Sequence, residues 1–71
     1  MTNARSITLA EGQKVTHLRT GNTYMIISTE HLQRINGDWS PAIIYCAYPN
    51  RGLTFSRTVP DFLESFTNYE A

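Results

Sequence analysis

Residues 35–48 read Ile35-Asn36-Gly37-Asp38-Trp39-Ser40-Pro41-Ala42-Ile43-Ile44-Tyr45-Cys46-Ala47-Tyr48. Asn36 and Gly37 both tolerate left-handed backbone, so the pair predicts a two-residue type I′ turn joining two twisted antiparallel strands. Trp39 to Tyr48, centred on Ile43-Ile44-Tyr45, is the longest strand candidate of the chain. Pro41 has no amide proton to donate, so the start of that strand must lie on an edge or at a bulge.

Downstream, Pro49-Asn50-Arg51-Gly52 breaks the chain. Leu53, Phe55, Arg57 and Val59 then alternate with Thr54, Ser56 and Thr58, which predicts a half-buried antiparallel strand. Pro60 ends that strand and is pre-set for the first position of a helix, where Asp61 and Glu64 are favoured electrostatically. A single helical turn over Asp61 to Phe66 follows. Phe62 and Phe66 stand four apart with Leu63 beside them, so the turn is expected to cap an open end of the barrel.

Upstream, Tyr24-Met25-Ile26-Ile27 is apolar on both faces, as expected of a strand inside a closed or covered sheet. Gly21-Asn22 predicts a type II′ turn connecting it to a strand over Lys14 to Thr20. Ser28 to Ile35 has no single period, since Leu32 and Ile35 fit helical spacing while the flanks favour strand or loop; it is assigned as an irregular extension of the hairpin. Ile7 and Leu9 alternate with Thr8 and Ala10 ahead of Glu11-Gly12, suggesting a short first strand. Residues 1–6 are polar and unpatterned, a loose end, and residues 67–71 form an acidic tail.

The pattern predicts a mainly β chain: a small antiparallel barrel of four to five strands with a C-terminal helical turn, and one domain over residues 7–66. The stretches His17-Leu18-Arg19-Thr20-Gly21-Asn22-Thr23-Tyr24-Met25-Ile26, Ile43-Ile44-Tyr45 and Phe55-Ser56-Arg57-Thr58-Val59-Pro60-Asp61-Phe62 sharpen this. In that order they resemble a family of small bacterial and phage proteins known only as a domain of unknown function. Its members read approximately as His-x-Lys-Gly, Tyr-x-Val, a Val-Val-Tyr strand, and Val-Arg-Pro followed by an acidic residue and Phe. The likeness spans about residues 13–66. It departs at Thr58, where the family often has Pro, and by one extra residue between His17 and Tyr24. The resemblance implies an SH3-like barrel, no established activity, and a phage or bacterial accessory protein.

Size and charge narrow the functions open to the chain. At 71 residues it has room for one core, and a core of that size rarely supplies more than roughly 3–5 kcal/mol. Cys46 is the only cysteine, so no internal disulfide forms, and with two histidines it cannot complete a four-ligand zinc site. Self-association to a homo-oligomer is the remaining common reinforcement. Six basic and six acidic residues cancel, although three of the acids, Asp61, Glu64 and Glu70, crowd the last eleven positions. That balance lacks the basic footprint of a nucleic-acid-binding domain. No apolar run approaches a membrane span and the amino end has no secretion-signal pattern, so a cytoplasmic protein is expected.

Few residues carry chemistry. Cys46 sits mid-strand, where an inert buried thiol is expected rather than a nucleophile activated by His17 or His31. Glu30 and Asp38 suit solvated positions, and Gly21 and Gly37 are isolated turn residues, not a phosphate-binding loop. The sequence thus suggests no catalytic residue, no metal site and no cofactor. Aromatics are more suggestive: Trp39, Tyr45 and Tyr48 on one strand, with Tyr24 and Tyr69, exceed what so small a core can hold, and an aromatic shelf edged by Arg19, Arg51 or Arg57 would suit proline-rich peptides, nucleobases or a nucleotide. The competing reading places Trp39 and Tyr45 in the core and Tyr48 at its rim. Arg57 lies on an apolar strand face, where it either pairs with a carboxylate such as Asp61 or lines a pocket for an anion. The leading expectation is a non-enzymatic module that binds a host protein through Arg19, Tyr24, Trp39, Tyr48 or Arg57. The alternatives are sequestration of a small anionic nucleotide between protomers, using Arg57, Arg19 and Trp39, and binding of single-stranded nucleic acid on the aromatic face.

Overall fold

Asn36 and Gly37 both adopt positive φ, 52° and 88°, and Ile35 and Asp38 face each other across them. The expected two-residue turn therefore forms, and it sets the register of the two longest strands. A computed structural model describes residues 7–69. In it, β1 (Lys14–His17), β2 (Thr23–Ile35), β3 (Asp38–Ala47), β4 (Thr54–Thr58), α1 (Val59–Ser65) and β5 (Phe66–Asn68) follow in chain order. The strands make one antiparallel sheet in the order β4-β3-β2-β1-β5, so β2 is central and β4 and β5 are its edges. This is a mainly β chain of five strands and one short helix. The sheet is open: among the described residues β4 and β5 do not pair.

Several expectations are corrected. Ser28 to Ile35, assigned as an irregular extension of the hairpin, does continue β2 along β3 and is irregular up to His31, but from His31 to Ile35 it is a regular strand. Its pattern is obscured by two extra residues on that strand, between Ile26 and Ser28 and between Ser28 and His31. Each bulge reverses the alternation of faces; Leu32 and Ile35, whose spacing fits a helix, lie beyond both bulges on opposite faces of the ribbon and are both exposed, so their spacing marks no buried helical stripe. Gly21 does take positive φ, but the turn is not a two-residue one: β1 stops at His17, and Leu18 to Asn22 form a loop held by Gly21 N–H donating to the His17 carbonyl at 2.8 Å. Residues 7–10 are not a strand. Ile7 and Leu9 nonetheless pack against the core. Thr67 and Asn68, assigned to the tail, pair with Thr16 and Val15 of β1. Of the run Tyr24 to Ile27, Ile26 is fully buried but Ile27 is 37% exposed, because only one face of the sheet is covered there.

The helix starts two residues earlier than the sequence suggests and ends one earlier. Pro60 stands in its first turn with Asp61, and Phe66 closes it, donating its amide to the Phe62 carbonyl before entering β5. Phe62 and Phe66 are buried with their rings stacked, centroids 4.4 Å apart at 14°. Tyr45 meets both edge-on, at 5.4 Å and 5.1 Å, and Val15, Ile26 and Ile43 complete the core. The helix thus serves as the lid that the spacing of its phenylalanines implied. Phe62→Ala is expected to cost about 3–5 kcal/mol, comparable with the whole stability of a domain this small. Circular dichroism should show the cooperative thermal transition lost or moved far down; a variant melting within a degree or two of the parent would refute the role of the lid.

Candidate functional site

β1, β2, β3 and β4 each send an aromatic or charged side chain toward the point where the helix docks. His17 ends β1, Tyr24 opens β2, Tyr45 lies on β3, and Phe55 and Arg57 lie on β4. With Thr20 and Phe66 they line an open recess of about 190 Å³. Its walls are rings in edge-to-face contact: Tyr24 against Tyr45 at 5.5 Å, Tyr24 against Phe55 at 6.2 Å and His17 against Phe66 at 5.0 Å. Such geometry sets the positive ring edges against neighbouring π faces and holds the walls in place.

The loop between β1 and β2 is fixed by Thr20. Its Oγ1 is hydrogen-bonded to His17 Nδ1 at 3.0 Å and accepts the Asn22 amide at 3.3 Å. This bond orients the imidazole at the mouth of the recess.

Arg57 is the one charged side chain lining it. Its Nε donates to the Tyr45 hydroxyl at 2.8 Å, while Nη1 donates to Asp61 Oδ2 at 3.2 Å and to Ser65 Oγ at 3.3 Å. Nη2 has no acceptor among the described residues. The Tyr45 hydrogen bond first, and then the nearby Tyr45 and Asp61 oxygens, raise the guanidinium pKa against the opposing effect of burial. The guanidinium, which proteins do not deprotonate, carries its charge in this setting. Arg57 pairs with Asp61, as one of its two sequence readings expects, and it also lines the recess.

Of the five residues expected to bind, the structure brings together only Tyr24 and Arg57. Trp39 shares the face of Tyr45 but is 61% exposed, not core, because β4 pairs with β3 only over Ala42–Cys46 and leaves Trp39 beyond its end. There it stacks under Arg34, its cross-strand partner, at 5.5 Å. Tyr48 is half-buried under the Lys14 ammonium, 4.5 Å from the ring centre. Arg19 is exposed in the loop between β1 and β2 and does not line the recess.

The sequence does not single out Thr20, Phe55 and Phe66 as lining residues, and it offers His17 only as a base for Cys46. Cys46 itself is buried, paired with Met25 and Thr54 on neighbouring strands. A second, larger groove of about 510 Å³ runs between Ile35, Ser40 and Pro41 and the segment Thr58–Val59–Pro60. No charged side chain lines it. Among the described residues no helix is long and apolar enough to cross a membrane.

Comparison with known proteins finds no matching family model, no matching curated protein and no matching solved structure. The functional reading therefore stands on the geometry.

That geometry ranks the two anchors of Arg57. The Asp61 carboxylate is half exposed and its attraction is screened by solvent, whereas the Tyr45 hydroxyl belongs to a buried residue. Tyr45→Phe is expected to cost about 1–2 kcal/mol and Asp61→Asn less than about 1 kcal/mol. Urea midpoints of the two variants test this order; a larger loss in Asp61→Asn would reverse it.

Proposed function

We propose that this chain is a non-enzymatic binding module that recognises a protein partner by seating one or two of its side chains in the recess between Tyr24, Phe55 and Arg57. The observation that carries this is the pairing of preformed aromatic walls with an arginine that keeps Nη2 free of any acceptor among the described residues. A partner's backbone carbonyl or carboxylate would accept from that nitrogen while an apolar or proline side chain filled the ring-lined space. Small-molecule sites usually span roughly 300–1,000 Å³. A recess of about 190 Å³ is small for a nucleotide and adequate for side chains. The nucleotide alternative draws on Arg57, Arg19 and Trp39 between two protomers; within one chain only Arg57 lines the recess. A stacking platform for single-stranded nucleic acid has less support, because the rings meet edge to face and the chain has no net charge.

The fold we propose for the module is SH3-like. Its support is the path of α1: the seven-residue helix leaves β4 at one edge of the sheet and delivers the chain into β5 at the other. A helix of that length reaches only about 10 Å, so a curled sheet fits that path better than a flat one. The resemblance over residues 13–66 favours the same fold, and with it a bacterial or phage accessory protein whose partner belongs to the host.

Affinity capture from bacterial lysate, run in parallel with Phe55→Ala, tests the reading. Wild type should retain a partner at stoichiometric yield and the variant should lose it at least about tenfold, as expected for a truncated aromatic anchor. A thermal-shift panel of nucleotides should be silent, since a ligand at 100 times its dissociation constant would stabilise by about 2.7 kcal/mol. A nucleotide shift, or equal capture by both proteins, would overturn the proposal.

A further inference from the structure

The hairpin of β2 and β3 outruns the rest of the sheet. β1 covers β2 only at Thr23–Met25, and Gly12 and Gln13 add backbone bonds at Ile26. From Ile27 to Ile35 the edge of β2 turned away from β3 has no strand beside it among the described residues. Leu32 and Trp39 on this projection are 53% and 61% exposed. A two-stranded ribbon is marginal in water by itself, and an unpaired edge carrying apolar side chains is a template for another strand. Nature usually blunts such edges with proline or lysine, and residues 27–35 contain neither. Past His31 the register with β3 is regular, whereas Glu30 falls in the bulge between Ser28 and His31 and donates its amide to Ser28 Oγ at 3.2 Å, so the backbone pairing rests on Leu32 and Glu30 contributes its side chain.

The edge is also complementary to itself. Glu30 and Arg34 stand two residues to either side of Leu32. In an antiparallel pairing about a two-fold axis at Leu32, Leu32 faces Leu32 of the second copy and each Glu30 faces an Arg34. A two-residue turn closes on a hydrogen-bonded pair, here Ile35 and Asp38, and bonding direction alternates along a strand. Leu32 and Arg34 therefore direct their backbone amides and carbonyls to the free edge, which is what a pairing centred on Leu32 requires. Trp39 lies under the Arg34 guanidinium on the same face, so the ring would extend the contact on one side of the seam.

We propose that the protein forms a homodimer by antiparallel pairing of the Glu30–Arg34 edge of β2 with the same edge of a second copy. The two hairpins become one four-stranded sheet. This is independent of the recess, which lies among other residues of the sheet.

Sedimentation velocity over a concentration series up to about 1 mM, the weak limit of specific association, tests it. Wild type should shift from monomer to dimer. Glu30→Arg and Arg34→Glu each replace two attractive cross-strand pairs by repulsive ones, and each should weaken self-association at least about tenfold. Circular dichroism on both variants, changed at exposed positions, checks that they fold. Mixed in equal amounts they should restore a dimer, because the two guanidinium groups on the edge of one variant then face the two carboxylates on the edge of the other. A wild type that stays monomeric throughout, single variants that associate like wild type, or a mixture that remains monomeric would each overturn the proposal.

Discussion

The stack of Phe62 on Phe66, with the Tyr45 ring against both, is the contact on which the rest of this structure depends. Phe62 belongs to the helix, Phe66 to the strand that follows and Tyr45 to the middle of β3, so one aromatic cluster ties the end of the chain to the middle of its sheet. Because Phe66 is already the first residue of β5, seating the helix also delivers the last strand onto β1. Closure of the core and placement of the carboxyl-terminal strand thus depend on the same contact. The recess inherits its shape from the same cluster, since Phe66 and Tyr45 are both core residues and recess wall.

How much of this was legible in the sequence can be judged element by element. Asn36-Gly37 predicted its turn because two consecutive residues at positive φ leave few alternatives. The paired phenylalanines of the closing helix were legible because four-residue spacing after a proline has a direct geometric meaning. Ser28 to Ile35 was legible as an irregular extension of the hairpin but not as a strand, because a bulge adds a residue without any mark in composition and Leu32 and Ile35 are both exposed. The Gly21 turn failed differently: the glycine needed its positive φ, but a residue's φ does not fix loop length, and the hydrogen bonds of Thr20 to His17 and Asn22 select five residues rather than two.

For the site, residue type and strand parity suffice to identify Tyr24 and Arg57. Parity placed Trp39 with Tyr45, and both do lie on one face. What parity cannot report is where the covering strand ends, and that alone separates a buried tyrosine from an exposed tryptophan. Phe55 and Thr20 escape notice in the sequence because each has an adequate explanation within its own segment; only the curl of the sheet sets them beside Tyr24 and Arg57.

The bulges of β2 have a further consequence. Ile26 pairs with Tyr45 and Ser28 with Ile44, so these two residues lie on opposite faces although only one residue separates them; Ser28 and His31, three apart, lie on the same face. Two reversals cancel, and the hairpin tip regains the orientation of the base. The spacing between Ile26 and His31 therefore counts for more than the identity of the residues that fill it. Loss of a single residue there would leave one reversal uncancelled and turn the whole tip over, carrying Leu32 and Arg34 to the back of the sheet while leaving every side chain chemically unchanged.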